Sequence, residues 1–467
     1  MSEPGAPIER SLGDRFPTIS SRRQVISGLA IGVVVISGWL LWNTWGRAAA
    51  LALLLAMALP MFLLFRFPLL GAVVLGFAIT SNIDAFIPRT FTLSLVVTLT
   101  IVAFQKCYQD DFQWKIPPFV AWSLLLFVWS FTSLLWTPNY DLQYVQMYVY
   151  TTLLMLLVPE LIQTPSHFKV FLGAIGLGIL FSTVSSVFGV YTLFSSGLAV
   201  IAAGSAKGLE SARYFGHWSG PNVLAHSLLP FIILYLPFLR KSEPIWLRWL
   251  FGFVVAGGAI AVGLSLSRAA ILSLAIAFAM VISSLKRRWL FALIAVFIIT
   301  ATPLILPVNV MGRIASLSHG GHDSSVRQRS EIAKAAIRMI EDYFPFGVGM
   351  GGFYFRQLDY NPHPYKVDHC HNTYLQILAD SGLIGECLFI LTLLSVIIPL
   401  QAHVTFSIKS LDGQLKVALI ATFVGLLVSM LFENKIAWPN YWLAFLLMSI
   451  FPTVYNRKNT RTHLKNI

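Results

Sequence analysis

Arg268 stands in the run GLSLSRAAILSLAIAFAM, where almost every neighbour is apolar. A guanidinium placed in or beside a membrane is costly, so it either snorkels to the interface or serves a site. Arg213, in SARYFGHWSGPNVLAH, precedes a helix start at Pro221-Asn222. That arrangement resembles an approach to an anion site at a helix N-terminus, with an interfacial anchor as the plain alternative. Two guanidiniums on one side of a membrane favour a diphosphate or another dense anion, because the planar fork binds phosphate oxygens in pairs. A third element is DHCHNTYLQILADSGLIGE, which places His371 at or just before a helix N-terminus. A neutral imidazole there is suited to take a proton from a hydroxyl nucleophile, and a helix-capping histidine is the alternative.

Two further patterns in this region carry less. His363, Asp368, His369, Cys370 and His371 are all metal-ligand types, but the crowded DHCH run lacks familiar ligand spacing, and no metal is expected. The glycine-rich run Gly347–Gly352 lacks the following Lys-Ser/Thr and the strand of a nucleotide loop, so it reads as a close-packed turn.

The elements that must position these residues follow from composition. Of 467 residues, 57% are hydrophobic and 11% charged. A soluble domain carries about 25% charged residues. The apolar residues fall in blocks of roughly 17–25, the length that crosses a bilayer as helix, and they lack the alternation of barrel strands. The chain therefore reads as an all-α polytopic membrane protein of about 12–14 transmembrane helices. Candidate spans lie near 25–42, 48–65, 68–82, 91–106, 117–135, 143–163, 168–190, 221–239, 245–265, 268–285, 288–307, 373–400, 412–432 and 437–455. Residues 245–285 as one helix would be roughly 60 Å long, so they must turn near Ser265, Ser267 and Arg268.

No signal peptide is expected, since residues 1–24 are polar and the first apolar block is too long for one. The formal charge of +13 is spread through loops, which speaks for the positive-inside bias and against nucleic acid as a partner. Lys286-Arg287-Arg288, the Arg240, Lys241 and Arg248 loop, and the basic tail share a side with the N-terminus, and that side is read as cytoplasmic. The loops near 83–90, 136–142, 191–220, 308–372 and 433–436 then face outward. The organisation expected is a tail at 1–24, a bundle of about eleven helices at 25–307, an outward loop at 308–372, about three helices at 373–455 and a tail at 456–467. Within the loop, 325–344 reads as an amphipathic helix with Ile332, Ala336, Met339, Ile340 and Tyr343 on one face and Arg327, Arg329, Lys334 and Arg338 in its polar part. Such a helix lies in the interface plane or packs across the mouth of the bundle. Cys107, Cys370 and Cys387 fall in separate places, so no disulfide framework is expected.

Four segments together resemble the O-antigen ligase and O-antigen/exopolysaccharide polymerase superfamily of bacterial envelopes: RYFGHWSGPNVLAH, SLSRAAILSL, RSEIAKAAIRMIEDYFPFGVGMGGF and HNTYLQILADSGLIGE. They cover about residues 205–395; the N-terminal half is similar only in hydropathy. The resemblance implies a GT-C-like glycosyltransferase on the periplasmic face of the inner membrane, with both termini cytoplasmic, no cofactor and an inverting, metal-independent mechanism. Its donor would be a glycan on undecaprenyl diphosphate. Its acceptor would be lipid A–core for a ligase, or a lipid-linked growing polysaccharide for a polymerase. Arg213 and Arg268 would hold the diphosphate, with Arg327 or Arg329 as a third contact. His371 would help activate the acceptor hydroxyl, and Asn372, Asn222 and His217 would line the substrate site. A secondary transporter or lipid-linked-sugar flippase is the rival from another class. Such proteins favour repeat symmetry and polar groups at the midplane, whereas here the polar groups gather on one outer face.

Overall fold

The computed structural model describes residues 67–85, 89–108, 114–202, 218, 220–265, 267–284, 324–361, 367, 369–402 and 410–465. The spans expected at 25–42, 48–65 and 288–307, the N-terminal tail, Arg213, His217, His363 and Asp368 lie outside them. The described residues form thirteen α-helices and no strand. These are α1 (Leu69–Ser81), α2 (Thr90–Tyr108), α3 (Pro118–Thr132), α4 (Leu142–Leu161), α5 (Pro165–Ala202), α6 (Pro221–Ile232), α7 (Ile245–Leu264), α8 (Arg268–Ser283), α9 (Ser324–Asp342), α10 (Gly352–Tyr360), α11 (Thr373–Ala402), α12 (Leu411–Met430) and α13 (Pro439–Lys465).

The starts of these helices are written in the chain. Proline, whose missing N–H costs nothing in a first turn, opens α3, α5, α6 and α13. Asp141 caps α4 by accepting from the Gln143 amide at 2.8 Å, and Ser410 caps α12 by accepting from Gly413 at 3.0 Å. Among the described residues, six stretches are long and apolar enough to cross a membrane: Pro118–Leu135, Pro165–Ser185, Pro221–Leu239, Ile245–Leu264, Thr373–Gln401 and Leu411–Met430. The third of these begins as α6, which carries Pro230 near its end, and continues as a 3₁₀ segment, Ile233–Leu239, which contains Pro237.

The chain divides into two compact units, residues 1–71 with 96–114, and residues 72–95 with 115–467. In the first, Gly71 lies so close to Thr98 that no side chain fits there. The second holds every group discussed below. Its centre is an aromatic cluster in which the Trp442 ring meets Phe127 at 4.9 Å and Phe119 at 6.0 Å between centroids. Helices in lipid gain little from burying apolar surface against each other, so close packing must hold them. Gly425 supplies it between α8 and α12: a Cβ there would stand 3.1 Å from both Ala277 Cβ and Ser273 O.

Helix α11 is broken at Gly382, whose φ of 66° and ψ of −165° belong to a region only glycine occupies readily. The break orphans backbone groups that lipid cannot satisfy. The glycine-rich segment after α9 fills them. Val348 and Gly349 donate to the carbonyls of Ala379 and Asp380 at 2.9 and 2.8 Å, and Leu383 donates to Pro345 O at 2.8 Å. The Trp129 indole donates to Ser381 O at 2.8 Å. The Asp380 carboxylate accepts from the Phe353 amide at 2.9 Å at the start of α10 and from Gln376 at 2.8 Å. From Leu383 to Gln401 about 29 Å of helix remains, the thickness of a hydrocarbon core.

The amphipathic face of α9 is not left for lipid. Ile332, Ala336 and Met339 are buried with Val348, Phe353, Cys370 and Ala379, and Ile340 and Tyr343 pack at the edge. Its apolar face packs on α10, α11 and the glycine turn. The expected close-packed turn is also present, with left-handed Gly347, Gly349 and Gly351.

Candidate functional site

Glu433 is the hub around which the polar groups gather. It lies in the short connection between α12 and α13, buried, with Thr373 Oγ1 donating to its carbonyl at 2.7 Å and accepting from the Lys435 amide at 3.0 Å. The first turn of α11 thus fixes the backbone of this connection. The Glu433 carboxylate then collects partners from four places in the chain. Asn222, in the first turn of α6, donates to Oε1 at 2.8 Å, and Arg329 of α9 stands 3.8 Å from the same oxygen. Around Oε2 stand His371 Nδ1 at 3.5 Å, His369 Nε2 at 3.7 Å and Lys435 Nζ at 4.0 Å.

The histidines reach Glu433 because of the backbone between them. His371 takes a left-handed φ of 53°, which turns the chain sharply before α11 and sets the two rings edge to face, 4.5 Å between centroids. The His371 amide donates to His369 Nδ1 at 3.2 Å. That bond assigns the neutral tautomer of His369: Nδ1 accepts, so Nε2 carries the proton and faces the carboxylate. Cys370 between them is buried, its amide bound to Gln376 Oε1 at 2.9 Å and its thiol to Asn372 O at 3.1 Å. Burial pushes the thiol above its ordinary range and leaves it a poor nucleophile.

Charge explains how a carboxylate survives here. Burial works to raise the Glu433 pKa, but the Lys435 ammonium and the hydrogen bond to His371 outweigh it and hold the group well below the usual carboxylate range. Burial pulls Lys435 down to about 8, with Glu433 working the other way. Its ammonium also lies over the Trp438 ring, 3.5 Å from the centroid. Burial lowers His369 to about 4 against the pull of Glu433, so its ring is neutral at pH 7.

His371 Nδ1 facing an ionised carboxylate is the arrangement that makes an imidazole a base. The carboxylate holds the proton on Nδ1, leaves Nε2 as the basic nitrogen and stabilises the imidazolium once a proton arrives. His369, His371 and Glu433 also offer three ligand atoms within 4.8 Å of one another, a geometry a divalent metal would accept. Charge opposes it. Lys435 and Arg329 already face this carboxylate, and an incoming ion would sit beside a buried ammonium.

The other residues singled out from the sequence fall in different places. Asn372 caps α11, its Oδ1 accepting from the Leu375 amide at 3.1 Å, so the cap is the asparagine and not His371. Arg327 is exposed and pairs along its own helix with Glu331 at 3.1 Å. Arg268 opens α8, exposed, directly after buried Ser267. Arg213 and His217 lie outside the described residues, but their neighbour Trp218 is buried, its indole donating to Ser182 Oγ at 3.3 Å.

Sequence reading missed Glu433 and Lys435. A signal was present in FENKIAW: two charges and an amide in a connection only a few residues long, between two apolar spans. Polar groups with no room to reach water on their own must find partners in the protein.

The family model described as O-Antigen ligase matches residues 251–390. The match takes in Arg268, α9, the glycine turn, the break in α11 at Gly382 and both histidines, while Asn222 and Glu433 lie outside it. No curated protein matches the chain. An O-antigen ligase domain match at residues 251–390, within an all-helical polytopic scaffold, supports the likeness to the O-antigen ligase and polymerase superfamily.

Proposed function

We propose that this protein is a metal-independent, inverting glycosyltransferase of the bacterial inner membrane, working at its periplasmic face. It moves a glycan from undecaprenyl diphosphate to a sugar hydroxyl, on lipid A–core or on a lipid-linked repeat unit. The observation that carries the proposal is the pairing of Glu433 with His371 Nδ1 inside a cluster of fixed cations.

The chemistry needs a proton acceptor and a sink for charge. His371 Nε2 takes the acceptor's hydroxyl proton as its oxygen attacks the anomeric carbon from the face opposite the leaving group. The new glycosidic bond forms as the bond from that carbon to the diphosphate oxygen breaks, and the electron pair leaves with undecaprenyl diphosphate. Arg268, with Arg213 and Arg329, meets the charge that builds there. Guanidiniums held in a partly dehydrated pocket do this without reorganising at the moment of reaction. Asn222 and His369 hold the Glu433 carboxylate in place, while His217 and Asn372 border the substrates.

The test is transfer by detergent-purified protein supplied with undecaprenyl-diphosphate-linked glycan and, separately, lipid A–core or additional donor as acceptor. Transfer that persists in EDTA and falls at least about a hundredfold in both Arg268→Ala and His371→Ala is expected. The productive acceptor assigns ligase or polymerase. No transfer to either acceptor from folded protein, with donor carried across proteoliposomes instead, would overturn the proposal in favour of transport.

A further inference from the structure

His226 lies one turn beyond Asn222 on α6 and is wholly buried. An imidazole inside a membrane bundle is costly unless its nitrogens have partners. Nδ1 lies 2.6 Å from Ser429 Oγ and 3.3 Å from Tyr441 OH, and those two oxygens are 2.5 Å apart. On the other side of the ring, Nε2 lies 3.5 Å from Ser267 Oγ.

The partners come from the elements that carry the proposed chemistry. Ser429 lies in the last turn of α12 and Tyr441 in the first turn of α13, so together they grip both sides of the connection that bears Glu433. Ser267 is the residue immediately before Arg268, and its amide donates to Ser265 Oγ at 3.2 Å within the turn. The same helix that gives Asn222 to the Glu433 carboxylate thus spans, one turn deeper, from the base of the Glu433 connection to the base of the Arg268 turn.

We propose that His226 is a positioning residue that holds Arg268, the group meeting leaving-group charge, in register with the Glu433–His371 pair. Its role rests on the transfer reaction proposed above. It touches no reacting atom; it fixes the separation between the leaving-group end and the base end of the site. A misplacement of about 1 Å between such groups costs on the order of a hundredfold in rate.

Two amide substitutions divide the two sides of the ring. The Asn amide reaches about as far as Nδ1, so His226→Asn keeps a partner for Ser429 and Tyr441 and drops Ser267. The Gln amide reaches about as far as Nε2, so His226→Gln does the reverse. In the purified transfer assay, His226→Asn is expected to raise the donor KM by about tenfold or more, since the Arg268 turn loses its tie. His226→Gln is expected to lower kcat by about tenfold or more with the donor KM unchanged, since the base side is the one released. Ser267→Ala and Ser429→Ala, which remove the partners and leave the histidine, should reproduce the two patterns, and they carry the test if either His226 variant fails to fold. Variants that match wild type in kcat and donor KM, or that lose only the folded fraction, would overturn the positioning role while leaving the reaction intact. A folded wild type that neither transfers glycan nor is thermally protected by undecaprenyl diphosphate would overturn the proposed function, and the positioning role with it.

Discussion

Glu433 Oε2 and His371 Nδ1 are 3.5 Å apart across a sequence separation of 62 residues. The carboxylate sits at the end of one membrane-spanning helix and the imidazole just before another. Nothing local brings them together; the docking of α11 against the connection after α12, through Thr373, does.

Glu433→Gln keeps an acceptor for Asn222 but removes the charge that holds the His371 proton on Nδ1. Transfer should fall by about a hundredfold to ten-thousandfold in kcat. Leaving Lys435 buried without its counter-charge should also lower the melting temperature. Steady-state kinetics with a thermal melt checks both, and a variant keeping half the wild-type kcat would remove Glu433 from the mechanism.

The two histidines should separate by role. His371→Ala is expected to lose about a hundredfold or more in kcat, because the proposed proton acceptor itself is gone. His369→Asn retains a side-chain group near the His371 amide and should stay within about tenfold of wild type, as expected of a supporting group. Equal losses in the two variants would argue that the pair acts as a unit.

Arg327 and Arg329 stand two residues apart on α9 and face different surroundings. Arg327 is exposed and pairs with Glu331 one turn along its own helix, a contact worth about 0.3–0.5 kcal/mol, so Arg327→Ala should keep activity within about twofold. Arg329 is half-buried and turned to Glu433, and Arg329→Ala should cost about tenfold or more in kcat/KM. Parallel assays of the two alanine variants decide which arginine belongs to the site.

Gly382→Ala should be poorly tolerated. A side chain at a φ of 66° and ψ of −165° is strained, and its Cβ would collide with Pro345 O, the acceptor that docks the glycine turn. A cost of at least about 2 kcal/mol is expected. Faster proteolysis between α9 and α10 would show the turn coming off; an unchanged digestion pattern and melt would refute its docking on α11.

Acid should destabilise the protein in two stages. His369 is lowered from 6.5 to about 4 in the folded chain, so between those values the unfolded chain binds a proton that the native state refuses, and stability falls as pH drops through that window. Glu433 is held well below its ordinary 4.5, so its contribution is present above that value and is lost on further acidification through the lower native pKa. Melting temperatures between pH 7.5 and 4.5 should fall for wild type and fall less for His369→Asn. Superimposable curves would show that His369 is not the group responsible.

The sequence by itself determined what depends on short-range pattern. Blocks of apolar residues that lack barrel alternation, with proline or a capping side chain at their starts, become helices, because a single segment in lipid satisfies its own backbone polar groups only as a helix. The turn before Arg268 followed from helix length alone. The buried face of α9 followed from its 3.6-residue period, and the glycine run announced a turn that only glycines adopt. What the α9 face would pack against was not in that pattern. It needed the break at Gly382, which exposes the backbone groups that the glycine turn fills.

The composition of the site was decided by tertiary structure. Asn222 and Glu433 are 211 residues apart, and His226 reaches Ser429 across 203 and Ser267 across 41. Hydropathy treats FENK as a break between spans and cannot see that its carboxylate is the common partner of α6, α9, the histidine turn and Lys435. An isolated buried charge is costly at any one of these places in the chain. It becomes tolerable only when helices distant in sequence bring a hydrogen bond, two imidazoles and two cations to the same carboxylate, and only the packed bundle does that.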